Sequence, residues 1–279
     1  MSRSDAIGMA AAPRARVAVL RRGWRLSYKA KVSIGTCIGL VVLWEVLARL
    51  AVVPPMFLPG PAAVLSKLVD VATEGFQGAT LWDHLWSSVM RVSVALAAAV
   101  VTGVALGFAA VLSRTAGGII EPILELYRPI PPLAYLPLVI IWCGIGEFAK
   151  IFVIYLGILP SIIIATGEAL RSISTDKVDA ARALGATRLQ VVTLVLFPHA
   201  LPGILTGTRI GLGTGWATLV AAELVAATQG LGFMIKGAAD FLVTDVVILG
   251  ILVIAAAAIA MDLCLRGLGR LLSPWQGHD

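Results

Sequence analysis

Long uncharged stretches alternate with short charged segments along this chain. Residues 92–112 contain no charged residue, and a helix needs about 20 apolar residues to cross the hydrocarbon core of a bilayer. Comparable apolar stretches lie near 33–53, 129–146, 151–167, 200–226 and 244–265. The pattern predicts an all-α integral membrane protein with about six transmembrane helices.

Composition and charge agree with a bilayer location and suggest an orientation. The 279-residue chain is 59% hydrophobic and 14% charged, against about 45–50% and about 25% in ordinary soluble domains. The net charge of +6 is concentrated in residues 1–31, which hold eight lysines and arginines and one acid. Basic residues accumulate on the cytoplasmic side of membrane proteins. We therefore expect cytoplasmic N- and C-termini, with anionic lipid headgroups rather than nucleic acid beside the basic segment.

The same pattern divides the chain into four parts. Residues 1–31 are a basic cytoplasmic N-terminus, and 32–80 hold the first transmembrane helix and an external segment with an amphipathic helix at about 61–74. Residues 81–266 form the main transmembrane domain, and 267–279 a cytoplasmic C-terminus.

Prolines interrupt the apolar pattern between residues 128 and 137. Pro129, Pro131, Pro132 and Pro137 remove amide donors, so one straight helix cannot continue here. Broken backbone at membrane depth is tolerated only against protein or a water-filled cavity. Arg128, Pro131 and Pro132 are therefore candidate pathway residues, and a purely structural kink is the alternative.

The cytoplasmic loop at about 171–200 predicts a short helix, a hinge and a second helix. Asp176 is expected to cap the first helix, with Asp179 in its first turn, and Gly185 to stop it in the left-handed conformation. Thr187 begins a capping box that restarts a helix, which ends at Pro198.

One face of the first helix is apolar. Val178, Ala181 and Leu184 share this face and form a narrow stripe suited to a partner's groove. An amphipathic surface helix without a partner is the alternative.

The fifth apolar stretch contains small residues at every fourth position, a pattern that lets helices approach closely. Arg209, Trp216 and Glu223 follow at intervals of seven on this predicted helix. A charge near the bilayer centre costs about 3 kcal/mol, so Glu223 must face protein or water. It is a gate or substrate contact, or else a buried carboxylate that ties helices together.

No group of side chains predicts catalysis or metal binding. Three cysteines lie in or beside separate apolar stretches and are expected to be small packing residues: Cys37, Cys143 and Cys264. The three histidines are scattered, which argues against a metal site. The phosphate-binding pattern GxxxxGK[ST] does not occur in the sequence. We expect no catalytic residue and no cofactor in this chain.

Residues 179–198 resemble the EAA loop of the membrane subunits of ATP-binding-cassette (ABC) importers. The family pattern is Glu-Ala-Ala, three residues, Gly, nine residues, an aliphatic residue, and Leu-Pro one position later. The matching positions are Asp179 for Glu, Ala180, Ala181, Gly185, Val195, and Phe197-Pro198 for Leu-Pro. The resemblance implies a type I ABC importer permease fold and an ATPase-coupling role for Asp179, Ala180, Ala181, Gly185 and Pro198.

Further strings narrow the resemblance to the nitrate, sulfonate and taurine branch of these permeases, and within it to the taurine permeases. These strings lie at 126–137, 141–147, 206–213 and 219–228. They imply a multi-pass protein of the bacterial inner membrane that assembles with a second copy, two ABC ATPase subunits and a periplasmic substrate-binding protein. ATP and Mg would be bound by the ATPase subunits, and nucleic acid is not an expected partner.

The expected substrate is taurine or a related small sulfonate. Arg128 and Arg209 offer charge to such an oxyanion. Alkanesulfonate, nitrate or another small solute is the alternative for the same importer type. An ion-coupled secondary transporter is the alternative from a different class, although the two halves of the chain show no repeat typical of that class.

Overall fold

The structure, a computed structural model, describes residues 28–274, which are helical apart from connecting loops. Its helices are α1 (Tyr28–Arg49), α2 (Pro61–Thr73), α3 (Leu81–Leu112), α4 (Arg114–Tyr127), α5 (Leu136–Cys143), α6 (Glu147–Arg171), α7 (Thr175–Ala183), α8 (Arg188–Gln190), α9 (Phe197–Ala226), α10 (Leu231–Asp240) and α11 (Thr244–Leu272). A 3₁₀ turn covers Pro132–Tyr135, and a π-helical segment covers Val191–Leu196. Most of the predicted basic N-terminus, and residues 275–279 of the predicted C-terminus, lie outside the described residues.

Five helical segments within residues 28–274 are long and apolar enough to cross a membrane. They are Lys31–Arg49, Leu81–Leu112, Glu147–Arg171, Arg188–Ala226 and Thr244–Leu272. Helix α4 and residues 132–143 are bent by 93° and make a sixth crossing if the pair is one span. The prediction of an all-α protein with about six spans is confirmed.

Among the described residues, 28–46 form one unit and 47–274 form a second. In the first unit, the apolar side chains at 38–43 of α1 are exposed, as expected of a helix that meets lipid.

The predicted break in the third span is confirmed. Helix α4 ends at Tyr127, and the chain turns before the 3₁₀ segment begins at Pro132. The Tyr127 ring stacks on the Tyr135 ring at 5.3 Å between centroids, and the Tyr127 hydroxyl donates to the Leu156 carbonyl at 3.0 Å. Pro137 does not break the chain as expected, because it lies in the first turn of α5, where a helix needs no amide donor.

Helix α6 is the central element, packed between α3 and α9. Gly203, Gly207, Gly211 and Gly215 recur at every fourth position on α9 and face α6. A Cβ added to Gly211 would lie 2.9 Å from the Ile158 Cγ2 atom, and one on Gly207 would clash with the Ala165 methyl. The small-residue pattern therefore permits the close helix contact that the sequence predicts.

The loop between α6 and α9 begins differently from the prediction. Helix α7 starts at Thr175, and Ser174 occupies the N-cap position without a side-chain cap bond. Asp176 lies in the first turn rather than at the cap, so that prediction is wrong. Asp179 lies past the first turn, where its carboxylate is 3.8 Å from the Arg182 guanidinium.

The hinge of this loop follows the sequence. Gly185 has φ +84°, and the Ala186 amide donates to the Ala181 carbonyl at 3.1 Å, which closes α7 in a left-handed C-terminal turn. Thr187 and Gln190 form the predicted capping box, with the Thr187 amide 2.8 Å from the Gln190 Oε1 atom.

The second helix of the loop does not end at Pro198, contrary to the prediction. It runs through the π-helical segment into α9, and Pro198 lies in the first turn of α9. The Phe197 amide donates five residues back, to Val192. The wider π turn accommodates a proline that lacks an amide proton and would collide with the turn before it.

The three cysteines are exposed, and their prediction as packing residues is wrong. Each sits on an outward face of its helix, where a small apolar side chain meets lipid at little cost.

Candidate functional site

A buried polar cluster joins four helices at the end of the bundle opposite the α6–α9 loop. His84, Ser88 and Arg91 lie on one face of α3, at positions i, i+4 and i+7. Arg91 Nη1 is 2.6 Å from Glu223 Oε1 near the end of α9, and the Ser88 hydroxyl is 2.8 Å from the same oxygen. All four side chains are buried.

The same cluster fixes the start of α10. The Gly232 amide donates to Glu223 Oε2 at 2.8 Å, and the Leu231 amide donates to Ser88 Oγ at 2.9 Å. The Gly230 amide donates to His84 Nδ1 at 3.1 Å, so the proton on a neutral His84 belongs on Nε2, which is 3.1 Å from the Phe76 carbonyl. Glu223 thus satisfies backbone donors as well as a charge.

A second carboxylate balances the charge of this cluster. Glu147, at the start of α6, accepts two hydrogen bonds from Arg91, at 2.6 and 2.8 Å, and one from Lys150 at 2.6 Å. Two acids therefore face two bases; the Glu223 side chain is buried, whereas that of Glu147 is 59% exposed. Lys150 is buried in the first turn of α6.

Glu223 therefore makes the contacts expected of a carboxylate that ties helices together, and its role as a gate or substrate contact stays a prediction. Arg91 is not among the predicted site residues, because it lies directly before the uncharged stretch at 92–112 that predicts the second span. An arginine seven residues after a histidine, on one face of a predicted helix, was the signal for a buried polar group.

The other two residues at intervals of seven have separate neighbours. Arg209 Nε is 2.7 Å from Asp262 Oδ1 on α11, and Asp262 also pairs with Arg266 at 2.6 Å. Trp216 is buried, and its indole Nε1 has no hydrogen-bond partner among the described residues. Trp216 and Glu223 therefore lie in the packing between helices, whereas Arg209 lines a separate cavity beside α11, and none of the three lines a cavity with Arg128.

A cavity of about 510 Å³ opens beside the break in the third span. Arg128 and Pro132 line it from the bend, and Glu168 lines it from α6. Its hydroxyl-bearing residues are Tyr127, Ser161, Thr214 and Thr218. Pro131 is exposed at the bend but is not part of the lining.

A second cavity, of about 400 Å³, continues toward the α6–α9 loop. It shares Arg128, Ile164 and Glu168 with the first cavity. Glu121, Glu125 and Arg171 add further charge, and Glu121 forms an ion pair with Arg171. The two cavities adjoin along the broken span; the lining of the first is mostly apolar, and the second adds the charged residues. Within residues 28–274, no group of three or more His, Cys, Asp or Glu side chains is arranged to hold a metal ion.

The α6–α9 loop, at the other end of the bundle, has apolar residues that pack against the bundle and one that is exposed. Val178 and Ala181 pack against a cluster of buried residues that includes Leu170, Val191 and Ile204. Leu184 is 90% exposed. The apolar stripe is therefore divided: two of its members anchor α7 to the bundle, and only Leu184 is free to contact a partner.

Comparison with known proteins decides the family. The model of the family "Binding-protein-dependent transport system inner membrane component" matches residues 99–278. The chain belongs to this family. It is an ABC importer permease subunit, and the resemblance drawn from the Asp179–Pro198 loop is confirmed at that level.

Relatives of this permease share most of its length. It is 52% identical to the taurine transport system permease protein TauC of Escherichia coli (strain K12), over 93% of this chain and 94% of that protein. It is 34% identical to the putative aliphatic sulfonates transport permease protein SsuC of the same organism, over 85% of this chain and 89% of that protein.

A solved structure of the MetNI methionine ABC transporter, in an inward-facing conformation, supports the fold. Its matching chain superposes with a TM-score of 0.55 at 25% identity, covering 67% of the permease and 95% of that chain. The predicted importer permease fold is therefore confirmed.

Proposed function

We propose that this permease is the membrane-spanning subunit of an ATP-driven importer that moves taurine, or a related small sulfonate, into the cytoplasm. The observation that carries the proposal is the 52% identity with a taurine transport permease over 93% of the chain. The cavity beside Arg128 supports it, because a guanidinium forms strong charge-assisted hydrogen bonds with an oxyanion.

The proposed assembly contains two copies of the permease, two ABC ATPase subunits that bind ATP and Mg, and one periplasmic substrate-binding protein. An importer with two ATPases needs two coupling helices, and this chain supplies a single loop of that kind, at Asp179–Pro198. The proposed orientation in the inner membrane places this loop and both termini in the cytoplasm.

In the proposed mechanism, closure of the two ATPases on ATP moves the α7 helices toward each other. Helix α7 is fixed to the bundle through Val178 and Ala181, so its movement is transmitted to α6 and α9. These helices line the cavity beside the broken span, which then opens to the other side of the membrane. The docked binding protein releases its ligand into the open cavity.

The substrate is tested first on the binding protein encoded beside the permease. Calorimetry compares taurine, alkanesulfonates, nitrate and thiamine-precursor pyrimidines as ligands. Tight binding of taurine supports the proposal, and binding of only a pyrimidine or of nitrate overturns the substrate while leaving the importer type intact.

The mechanism is tested in proteoliposomes that contain permease, ATPase and binding protein. We expect taurine uptake that requires ATP, and loss of both uptake and ligand-stimulated ATP hydrolysis on Gly185→Pro or on deletion of 179–181. Unchanged coupling in these variants would overturn the role of the loop. Uptake without ATP that an ionophore abolishes would favour a secondary transporter instead.

A further inference from the structure

We propose that Arg128 and Glu168 form a binding site for a small zwitterion in the translocation cavity, with Arg128 holding the oxyanion group and Glu168 the ammonium group. The inference rests on the proposed function and narrows its substrate class, from small sulfonates in general to those that carry a cationic group as well.

Arg128 is the cationic half of the site. It follows directly after Tyr127, whose ring and hydroxyl are both fixed by neighbours, so the bend holds its backbone in place. Its side chain lines both cavities and makes no ion pair among residues 28–274. An unpaired guanidinium beside a cavity presents a planar set of donors that matches a sulfonate or carboxylate.

Glu168 is the anionic half. It lies on α6, lines the same two cavities, and likewise has no cationic partner within the described part of the chain. Arg171, one turn further along, is already paired with Glu121. The Glu168 side chain is exposed, three residues before the end of α6, so its carboxylate is accessible to a ligand in the two cavities that it lines.

The hydroxyl groups nearby complete a lining that accepts hydrogen bonds. Thr214 Oγ1 donates to the Gly211 carbonyl at 2.9 Å, and Thr218 Oγ1 donates to the Thr214 carbonyl at 2.8 Å. Since each hydroxyl has spent its one proton on the backbone, its oxygen is left to accept from an ammonium group or from water.

The mixed charge of the cavity argues against a simple anion as the preferred substrate. If Arg128 and Arg209 both lined the path, as the sequence predicts, the path would be cationic. In the structure, Arg209 instead pairs with Asp262 outside the cavity. The second charged residue that lines the cavity with Arg128 is Glu168, which is an acid. Nitrate or an alkanesulfonate would pair with Arg128 but would leave the Glu168 carboxylate without a counter-charge. Taurine, an aminoethanesulfonate, carries one charge for each residue.

The test measures taurine transported per ATP hydrolysed by the full complex of permease, ATPase and binding protein in proteoliposomes. Arg128→Glu and Glu168→Arg are each expected to lower this ratio about tenfold, the loss of about 1.4 kcal/mol of interaction. ATP hydrolysis stimulated by the loaded binding protein is measured in parallel, so that the ratio reports transport by complexes that still hydrolyse ATP. The charge swap Arg128→Glu with Glu168→Arg is expected to restore transport, because a zwitterion can bind in the reverse orientation.

A double neutral variant, Arg128→Gln with Glu168→Gln, separates this site from a structural ion pair that forms only in another conformation. A structural pair tolerates loss of both charges, whereas a zwitterion site does not, so wild-type transport in the double neutral variant would overturn the inference. Failure of the swap to restore transport in a complex that still hydrolyses ATP would also overturn it. The matched control is Arg114→Glu, a charge change on the same helix that lines neither cavity, and its transport ratio is expected to be unchanged.

The two proposals fail in different ways. If the wild-type complex does not import taurine, the proposed function is wrong. If it imports taurine and every variant does so equally well, the permease is a taurine importer without the zwitterion site.

Discussion

Arg91 and Glu223 form a buried ion pair between α3 and α9, with Nη1 and Oε1 2.6 Å apart and side chains that are 5% and 0% exposed. The pair lies at the meeting point of α3, α6, α9 and α10, because Arg91 also binds Glu147 and Glu223 also accepts from Gly232. Each charge is therefore held by several partners. These contacts tie the four helices together at this end of the bundle.

Removal of Glu223 should destabilise the permease strongly. Glu223→Ala removes one of the two carboxylates that bind Arg91 and leaves the Gly232 amide without its acceptor. Breaking a buried ion pair in this way costs about 3–5 kcal/mol. We expect a markedly lower thermal unfolding midpoint for the purified protein. Lys67→Ala is the control, because its pair with Asp70 is exposed and is worth about 0–1 kcal/mol. Equal midpoints for the two variants would contradict the assignment of Glu223 as a structural carboxylate.

The sequence predicted those features that depend on neighbouring residues. The spans, the break at the prolines, the stop at Gly185 and the capping box at Thr187 all follow from local backbone chemistry or helical periodicity. The close approach of α9 to α6 was also predicted, because small residues at every fourth position give a helix one smooth face whatever its partner is.

The polar cluster could not be predicted, because its partners lie far apart in the chain. Arg91 binds Glu147, 56 residues away, and Glu223, 132 residues away. Spacing by seven placed Arg209 and Glu223 on one helix but did not indicate what each would face. Arg209 meets Asp262 on α11, and Glu223 meets Arg91 on α3. Which acid pairs with which base is decided by tertiary packing.

A leucine on the glycine face of α9 should destabilise the permease, whereas a leucine that replaces a glycine outside this face should not. Gly207→Leu places a side chain where the Ala165 methyl already lies, and overpacking of this kind costs about 1–3 kcal/mol. We expect less folded protein after detergent extraction and earlier loss on heating, read by fluorescence-detected size exclusion.

Gly213→Leu is the matched control for this experiment, since a Cβ at Gly213 meets no atom within 4 Å. The control is expected to fold as the wild type does. Similar yields from both variants would mean that α6 and α9 do not pack closely in the membrane.

The proposed orientation can be tested with single cysteines. In a background without the three native cysteines, Leu184→Cys places a thiol on the exposed tip of the α6–α9 loop, and Phe241→Cys places one at the exposed end of α10. We expect an impermeant thiol reagent to label Phe241→Cys in spheroplasts and Leu184→Cys only in inverted vesicles. The reverse pattern would put the loop outside the cell and exclude its contact with a cytoplasmic ATPase.

Leu184 should be the residue through which α7 binds the ATPase. It is 90% exposed while Val178 and Ala181 are held by the bundle, and burial of a leucine side chain contributes about 1.5–3 kcal/mol. Leu184→Ala is therefore expected to weaken binding of the ATPase by about tenfold or more, measured by titration of labelled ATPase onto permease in nanodiscs. Substrate uptake should fall with it. Leu271→Ala is the control, because that leucine is 79% exposed near the end of α11 and lies outside the loop. If both variants bind the ATPase as the wild type does, the contact must be made by another face of α7, and the charged residues Asp179 and Arg182 would be the next to replace.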